Sequence, residues 1–473
     1  MSSDLSRLPG TGTLVNDIHS QLNETTVADV IPVDSLDAIR LAVARSRAEG
    51  LPIAVSGGRH AMGGQQFCSG GLLLDTRPLG RVLAFDRERG TIDVEAGIQW
   101  PALLAFLRAE QDGNAPAWGI RQKQTGADRL SLGGALAANV HGRGLTFKPI
   151  VDDVESFTLV DGLGDVHECS REENADLFRL TIGGYGLLGV IYSVRLRLAP
   201  RRPLERVVEI MEIDGLIEAF DDRIESGFLY GDFQFAIDPS DPFFLRRGVL
   251  SCYHPVDDAT PIPEGQRALT TDEWRKLLHL AHVDKAKAWE LYSAHYLETS
   301  GQLYLSDAHQ FGDYVDDYHR WLDDLTGATE RATEMITEIY VPRSRLADFV
   351  SDVANDFRRT EVDVVYGTIR LIERDDVTFL TWARDCWACV IFNLHTVHTP
   401  VGLEHAAAAL RRLIDMAIAR GGSYFLTYHR WARPDQVEAC YPEFRDFLAA
   451  KRRHDPDERF QSDWYRHYAT LLA

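Results

Sequence analysis

Four glycines surround one histidine in the stretch SGGRHAMGGQ, Ser56 to Gln65, directly after the apolar run LPIAV. Glycine accepts positive φ and leaves its backbone N–H unshielded, so such a segment can close around an anion, phosphate first among them. Paired glycines also make ordinary strand-to-strand turns. Two more glycine-bearing segments follow in order: GADRLSLGGALAANVHGRG, Gly126 to Gly144, and TIGGYGLLGVI, Thr181 to Ile191. The second carries another histidine, His141, and no cysteine.

Other patterns with chemical potential lose it in context. GYGLLG, Gly184 to Gly189, fits the spacing of a dinucleotide fingerprint, which needs a strand before it and a helix after it. Here ENADLFRLTIG reads as helix before it and VIYSVRLRL as strand after it, the reverse order. Cys386 and Cys389 in CWAC are followed by His395 and His398. A redox dithiol opens a helix, whereas WACVIFNLHTVH is β-branched and aromatic, and the interval is too short for a zinc finger. The six cysteines show no disulfide framework and read as reduced thiols, and no metal site is expected.

The elements around these segments alternate helix and strand. DSLDAIRLAVARSRAEG reads as a helix over 34–49 ending at Gly50, LPIAVSGG as a short buried strand, and WPALLAFLRAEQ as a helix with proline in its first turn. The alternation runs to Pro200, where a strand-rich unit begins with RRPLERVVEIMEI. Helices are expected in DEWRKLLHLAHVDKAKAWELYSAHYLE, RSRLADFVSDVANDFRRT, GLEHAAAALRRLIDMAIARGG and RPDQVEACYPEFRDFLAAKRRH. At 473 residues the chain should form two or three domains. With 50 Lys plus Arg against 71 Asp plus Glu, its net charge of −21 repels polyanions and disfavours a nucleic-acid partner. No apolar run suits membrane insertion and the first residues lack a leader pattern, so a cytoplasmic protein acting on a small molecule is expected.

The three glycine segments in this order, with the tail DPDERFQSDWY, resemble the vanillyl-alcohol oxidase superfamily of flavoproteins, whose FAD-binding fold is named for p-cresol methylhydroxylase (PCMH). The similarity is nearest to alditol oxidases, aldonolactone oxidases and decaprenylphosphoryl-ribose oxidases. It implies a two-domain α+β fold with an FAD-binding unit made of residues 1–200 and 426–473 and an inserted antiparallel-sheet substrate domain, 201–425. By resemblance, Ser56, Gly57, Gly58, Arg59, His60, Ala61 and Gln65 form a pyrophosphate cradle. Gly126, Leu132, Gly133, Gly134, Ala137, Asn139, His141 and Gly142 line the flavin ring, and Gly184, Gly189 and Val190 lie near the adenine end. In the oxidases of this group the histidine matching His60 is joined covalently to the flavin; in non-covalent relatives it only hydrogen-bonds in the cradle.

Oxidation of a carbon bearing a hydroxyl or amine needs a proton acceptor and a cation beside the ring. The matching Glu-x-Arg strand of the relatives aligns with VVYGTIRLIERDDVTFL, which keeps Arg370 but carries Thr368 in place of the glutamate. Threonine cannot act as a base near neutral pH. Where the relatives carry a lysine on the C-terminal strand, YFLTYHRWA has Tyr428, His429 and Arg430. Asn393 and His395 share one face of CVIFNLH, so the catalytic candidates are Arg370, His395, Tyr428 and His429. The expected activity is an FAD-linked oxidase returning electrons to oxygen. The alternatives are a non-covalent dehydrogenase using another acceptor, and a flavin-binding protein without catalysis.

Overall fold

The computed structural model describes residues 12–111, 117–312 and 318–473. Residues 1–11, where a leader would begin, lie outside the described residues. The fold is mixed α and β. Up to residue 200 the described chain builds two larger sheets beside two two-stranded ones, Thr13–Val15 with Thr25–Val27 and Trp118–Gly119 with Ala199–Pro200. One of the larger sheets is parallel and three-stranded, with Leu72–Asp75 between Asp29–Pro32 and Ile53–Ser56. The other is antiparallel, in the order Val166–Ser170, Val154–Val160, Val190–Arg197, Thr91–Glu95, Val82–Asp86.

Helix Leu36–Glu49 starts where the Ser35 side chain accepts from the Ala38 N–H and stops at Gly50 in the left-handed region. It buries Ile39, Ala42 and Val43 against Ile53, Leu72 and Leu74 of the parallel sheet. Ile53–Ser56 is therefore held rigidly, and SGGRHAMGGQ leaves from its end. The C-terminal segment flanks the same strand: the Ile53 N–H donates to Arg459 O at 2.7 Å and the Gln461 N–H to Ile53 O at 2.9 Å.

From Pro203 onward the strands form one eight-stranded antiparallel sheet. Its order is Leu303–Leu305, Pro203–Glu212, Arg247–Pro255, Tyr230–Phe235, Val364–Ile372, Trp387–Val397, Ala332–Pro342, Ser423–Tyr424. Along Ala332–Pro342 the odd residues Met335, Ile339 and Val341 enter the core, on which helices Leu346–Thr360 and Pro400–Ile418 pack. The even residues Glu334, Ile336 and Glu338 face a cavity on the opposite side. A pair of helices, Thr271–Val283 and Lys285–Glu298, borders that cavity with Trp274, Leu278, Trp289 and Tyr292.

Two stretches depart from the sequence expectation. YFLTYHRWA keeps only Ser423–Tyr424 as strand, because the chain then crosses to the first glycine segment, where Thr427 O accepts from the Met62 N–H and from Gln65 Nε2. RPDQVEACYPEFRDFLAAKRRH is two helices, Pro434–Cys440 and Phe444–His454, broken around Pro442.

Candidate active site

All three glycine segments converge on one cavity of about 1030 Å³, which continues across the face of the eight-stranded sheet. Gly57 to Ala61 and Gln65 line it from the first segment, Gly126, Gly133, Gly134, Ala137 and His141 from the second, and Gly189 from the third. Close approach explains the paired glycines. A Cβ at Gly58 would sit 2.5 Å from Arg129 O, and one at Gly57 would sit 2.0 Å from Ser131 Oγ, so the first two segments touch through bare backbone.

The first segment also holds polar atoms with nothing to bind. Ser56 Oγ, Arg59 Nε, His60 Nε2, Gln65 Oε1 and Gln66 Oε1 are buried without a hydrogen-bond partner. Buried polar groups are nearly always paired, so such a cluster on one loop fits a polar ligand seated against it. Arg59 sits in the left-handed region at φ 60°. Its guanidinium has its pKa lowered mainly by burial, which suits a site completed by an anion. His60 Nδ1 lies 2.8 Å from His19 Nε2, and burial lowers its pKa to about 3, so the ring is a neutral imidazole at physiological pH.

Ser56, Leu132, Asn139, Gly142, Gly184 and Val190 stand behind the cavity wall. Leu132 and Val190 are core residues. Asn139 ends helix Leu132–Ala138 in the left-handed region and donates to Asp375 Oδ2 at 2.9 Å. Gly142 and Gly184 allow close backbone packing, on Lys123 O and Leu180 O.

At the sheet, Arg370 lines the cavity and donates to Thr125 Oγ1 of the second segment's approach. Thr368 lines it too, with Oγ1 buried and unpaired. Thr368 registers with Ile391 and Ile391 with Glu338, which puts a carboxylate in the same row two strands away, about 10 Å from the threonine. Glu338 is buried and accepts from Tyr428 Oη at 2.7 Å and Tyr340 Oη at 2.9 Å. His141 Nε2 lies 3.0 Å from it, and His141 Nδ1 3.0 Å from Gly142 O. Both ring nitrogens of His141 thus face oxygen acceptors. Burial raises the Glu338 pKa, but His141, Tyr428 and Arg370 outweigh it and the net direction is down. The carboxylate is therefore ionised, and burial together with that charge keeps the Tyr428 phenol protonated, well above its usual range.

Of the four catalytic candidates, Arg370 and Tyr428 reach the cavity and His395 and His429 do not line it. His395 lies beyond Asn393 with its ring 5.2 Å from that of His282, which stands at the wall. His429 stacks on Trp431 at 4.4 Å, because the chain has left the sheet before reaching it. The sequence reading also passed over Glu338 and Glu334. Glu334 lines the cavity, Asn393 Nδ2 donates to its Oε2 at 3.0 Å, and burial raises its pKa against the hydrogen bonds from Tyr318 and Asn393. The available signal was two carboxylates at even positions in the strand ATEMITEIYVP, on the face opposite Met335 and Ile339. Cys389 lies near His141 and Glu338, but its Sγ is 3.8 Å from Glu338 and burial keeps it a thiol, so it packs as a small apolar group.

This geometry has the marks of a flavin cradle facing a substrate sheet. Residues 28–170 match the family described as FAD binding domain. It is similar to an uncharacterized oxidoreductase of the fasciation locus of Rhodococcoides fascians, 34% identical over 37% of this chain and 36% of that protein. It is 30% identical to L-gulonolactone oxidase of Mus musculus, over 35% of this chain and 36% of that enzyme. Similarity to L-gulono-1,4-lactone dehydrogenase of Mycobacterium tuberculosis is weaker but longer, 24% over 84% of this chain and 86% of that enzyme. The chain thus spans little more than a third of the first two relatives. Among the described residues no helix is long and apolar enough to cross a membrane.

Proposed function

We propose that this protein is an FAD-linked oxidase of small molecules carrying a C–OH or C–N bond, with residues up to about 200 and from about 426 holding the cofactor and the intervening sheet holding the substrate. The observation that carries the reading is the single cavity joining the three glycine segments to Arg370, Tyr428 and Glu338. The unpaired polar atoms of Arg59, His60, Gln65 and Gln66 fit the group: Gly57, Gly58 and Arg59 would hold its pyrophosphate, and neutral His60 would bond to its ring methyl. When bound, the flavin supplies the hydride acceptor and passes electrons to oxygen.

The chain's own part is to place the substrate and move one proton. Arg370 orients the reacting oxygen or nitrogen and stabilises negative charge on it. Tyr428 accepts the substrate proton at Oη while passing its own proton to Glu338, so no phenolate has to form and the raised phenol pKa is no obstacle. His141, whose Nε2 lies 3.0 Å from Glu338 Oε2, positions that acceptor. Thr368 binds without taking a proton, its role as base passing to the row partner Glu338.

A lactone or polyol substrate is favoured by similarity to the gulonolactone enzymes. Anaerobic mixing of the yellow protein with a panel of aldonolactones, polyols, simple alcohols and amines tests the reading. At least one compound should bleach the flavin band, and air should then restore it with release of peroxide. A fully flavin-loaded protein that no compound reduces would establish the non-catalytic alternative. Reduction without peroxide release would favour a dehydrogenase.

A further inference from the structure

The cavity extends past the reacting end. On strand Pro203–Glu212, Arg206 faces it within a cage of tyrosines: its guanidinium lies 5.1 Å from the ring centres of Tyr253, Tyr296 and Tyr304. It donates to Tyr253 Oη at 2.8 Å and Thr299 Oγ1 at 3.0 Å, all neutral acceptors. Among the described residues no carboxylate lies within ion-pair distance of Arg206. Its neighbour Arg143 already has Asp232, at 3.6 Å, and so does not leave that acid for Arg206. A largely buried cation without a counter-charge is costly unless a ligand supplies one.

Arg206 registers with Tyr253, and its strand is three places from the Val364–Ile372 strand that carries Arg370, about 14 Å across the sheet. Between them the wall is mixed, with Phe235 and Trp289 beside Asp232, Gln234 and Tyr292, whose Oη donates to Gln234 Oε1 at 2.6 Å. We propose that this end of the cavity is an anion subsite, and that the substrate is an elongated molecule with the oxidised carbon at one end and a carboxylate or phosphate seated on Arg206 at the other. This rests on taking the Arg370 end as the reacting end.

Isothermal titration calorimetry on the flavin-loaded protein with phenylbutyrate, phenylbutyl phosphate and neutral phenylbutanol tests it. At least one anion should bind about tenfold or more tighter than the alcohol, as loss of a charge-assisted hydrogen bond implies. Arg206→Met should erase that preference, Arg206→Lys should keep part of it, and Arg370→Met should leave it in place. Whichever anion binds better identifies the source of the charge. Equal binding of anion and alcohol to the wild type would overturn the subsite, and this holds even if Arg206→Met fails to fold. A preference that survives Arg206→Met would overturn it as well. The binding readout is separate from turnover, so failure to bleach the flavin would count against the reacting end and not against the subsite.

Discussion

His60 and Tyr428 both line the cavity, and each has a distinct experimental signature. If His60 carries the flavin, acid precipitation of the wild type leaves the yellow colour in the pellet and His60→Ala releases it to the supernatant, read by flavin fluorescence in each fraction. Tyr428→Phe removes the relay between substrate and Glu338 while keeping the ring; kcat should fall about 100-fold with a smaller change in KM, measured by stopped-flow reduction of the flavin. The position of His60 on the cavity was legible only once three glycine segments were taken together, since paired glycines alone also make ordinary turns. Glu338 was not: its importance depends on Tyr428 and His141 arriving from segments 90 and 197 residues away, which no local pattern records. His395 and His429 misled for the converse reason, since strand alternation gives the face of a residue but not whether another ring, such as His282, stands in front of it.

Among the elements, the C-terminal segment matters most to the cradle, because it flanks the strand from which the first loop departs. It is anchored by Asp455, whose carboxylate accepts from Lys451 Nζ at 2.9 Å, the Arg459 N–H at 2.9 Å and the Phe460 N–H at 2.8 Å. Lys451 is fully buried. Asp455→Ala would strand that ammonium and free the Arg459–Gln461 stretch, so a loss of roughly 3–5 kcal/mol is expected in urea unfolding, with weaker flavin retention in the protein that still folds. The tail DPDERFQSDWY was recognisable as a motif, but its partner Ile53 was not, since the pairing joins residues some 400 apart in the chain. The same limit explains YFLTYHRWA. Its β-branched and aromatic content reads as strand, yet Thr427 is drawn off the sheet by contacts with Met62 and Gln65.

For the whole molecule, one cavity joins two sheet systems, and buried neutral histidines make that junction sensitive to acid. Burial lowers the pKa of His429 to about 4 and that of His319 to about 3, against 6.5 when unfolded. Folded-state values below the unfolded one mean that the unfolded chain takes up protons first as pH falls. Stability is complete above about 6.5 and is lost below it, by roughly 1.4 kcal/mol per pH unit for a fully buried histidine. Urea midpoints should drop between neutral pH and pH ~5, and His429→Gln should flatten the slope. Order and composition made the mixed helix-and-sheet fold readable, as did the change near residue 200 from alternating elements to a strand-rich run. The joining cavity was out of reach because it is a property of packing between distant elements. The central claim is that this cavity holds FAD, and the most direct measurement is the FAD content of the purified, folded protein after incubation with excess cofactor and gel filtration. The account predicts one FAD per chain, lost in Gly58→Val, whose Cβ would meet Arg129 O. A folded wild-type protein that emerges colourless would contradict it.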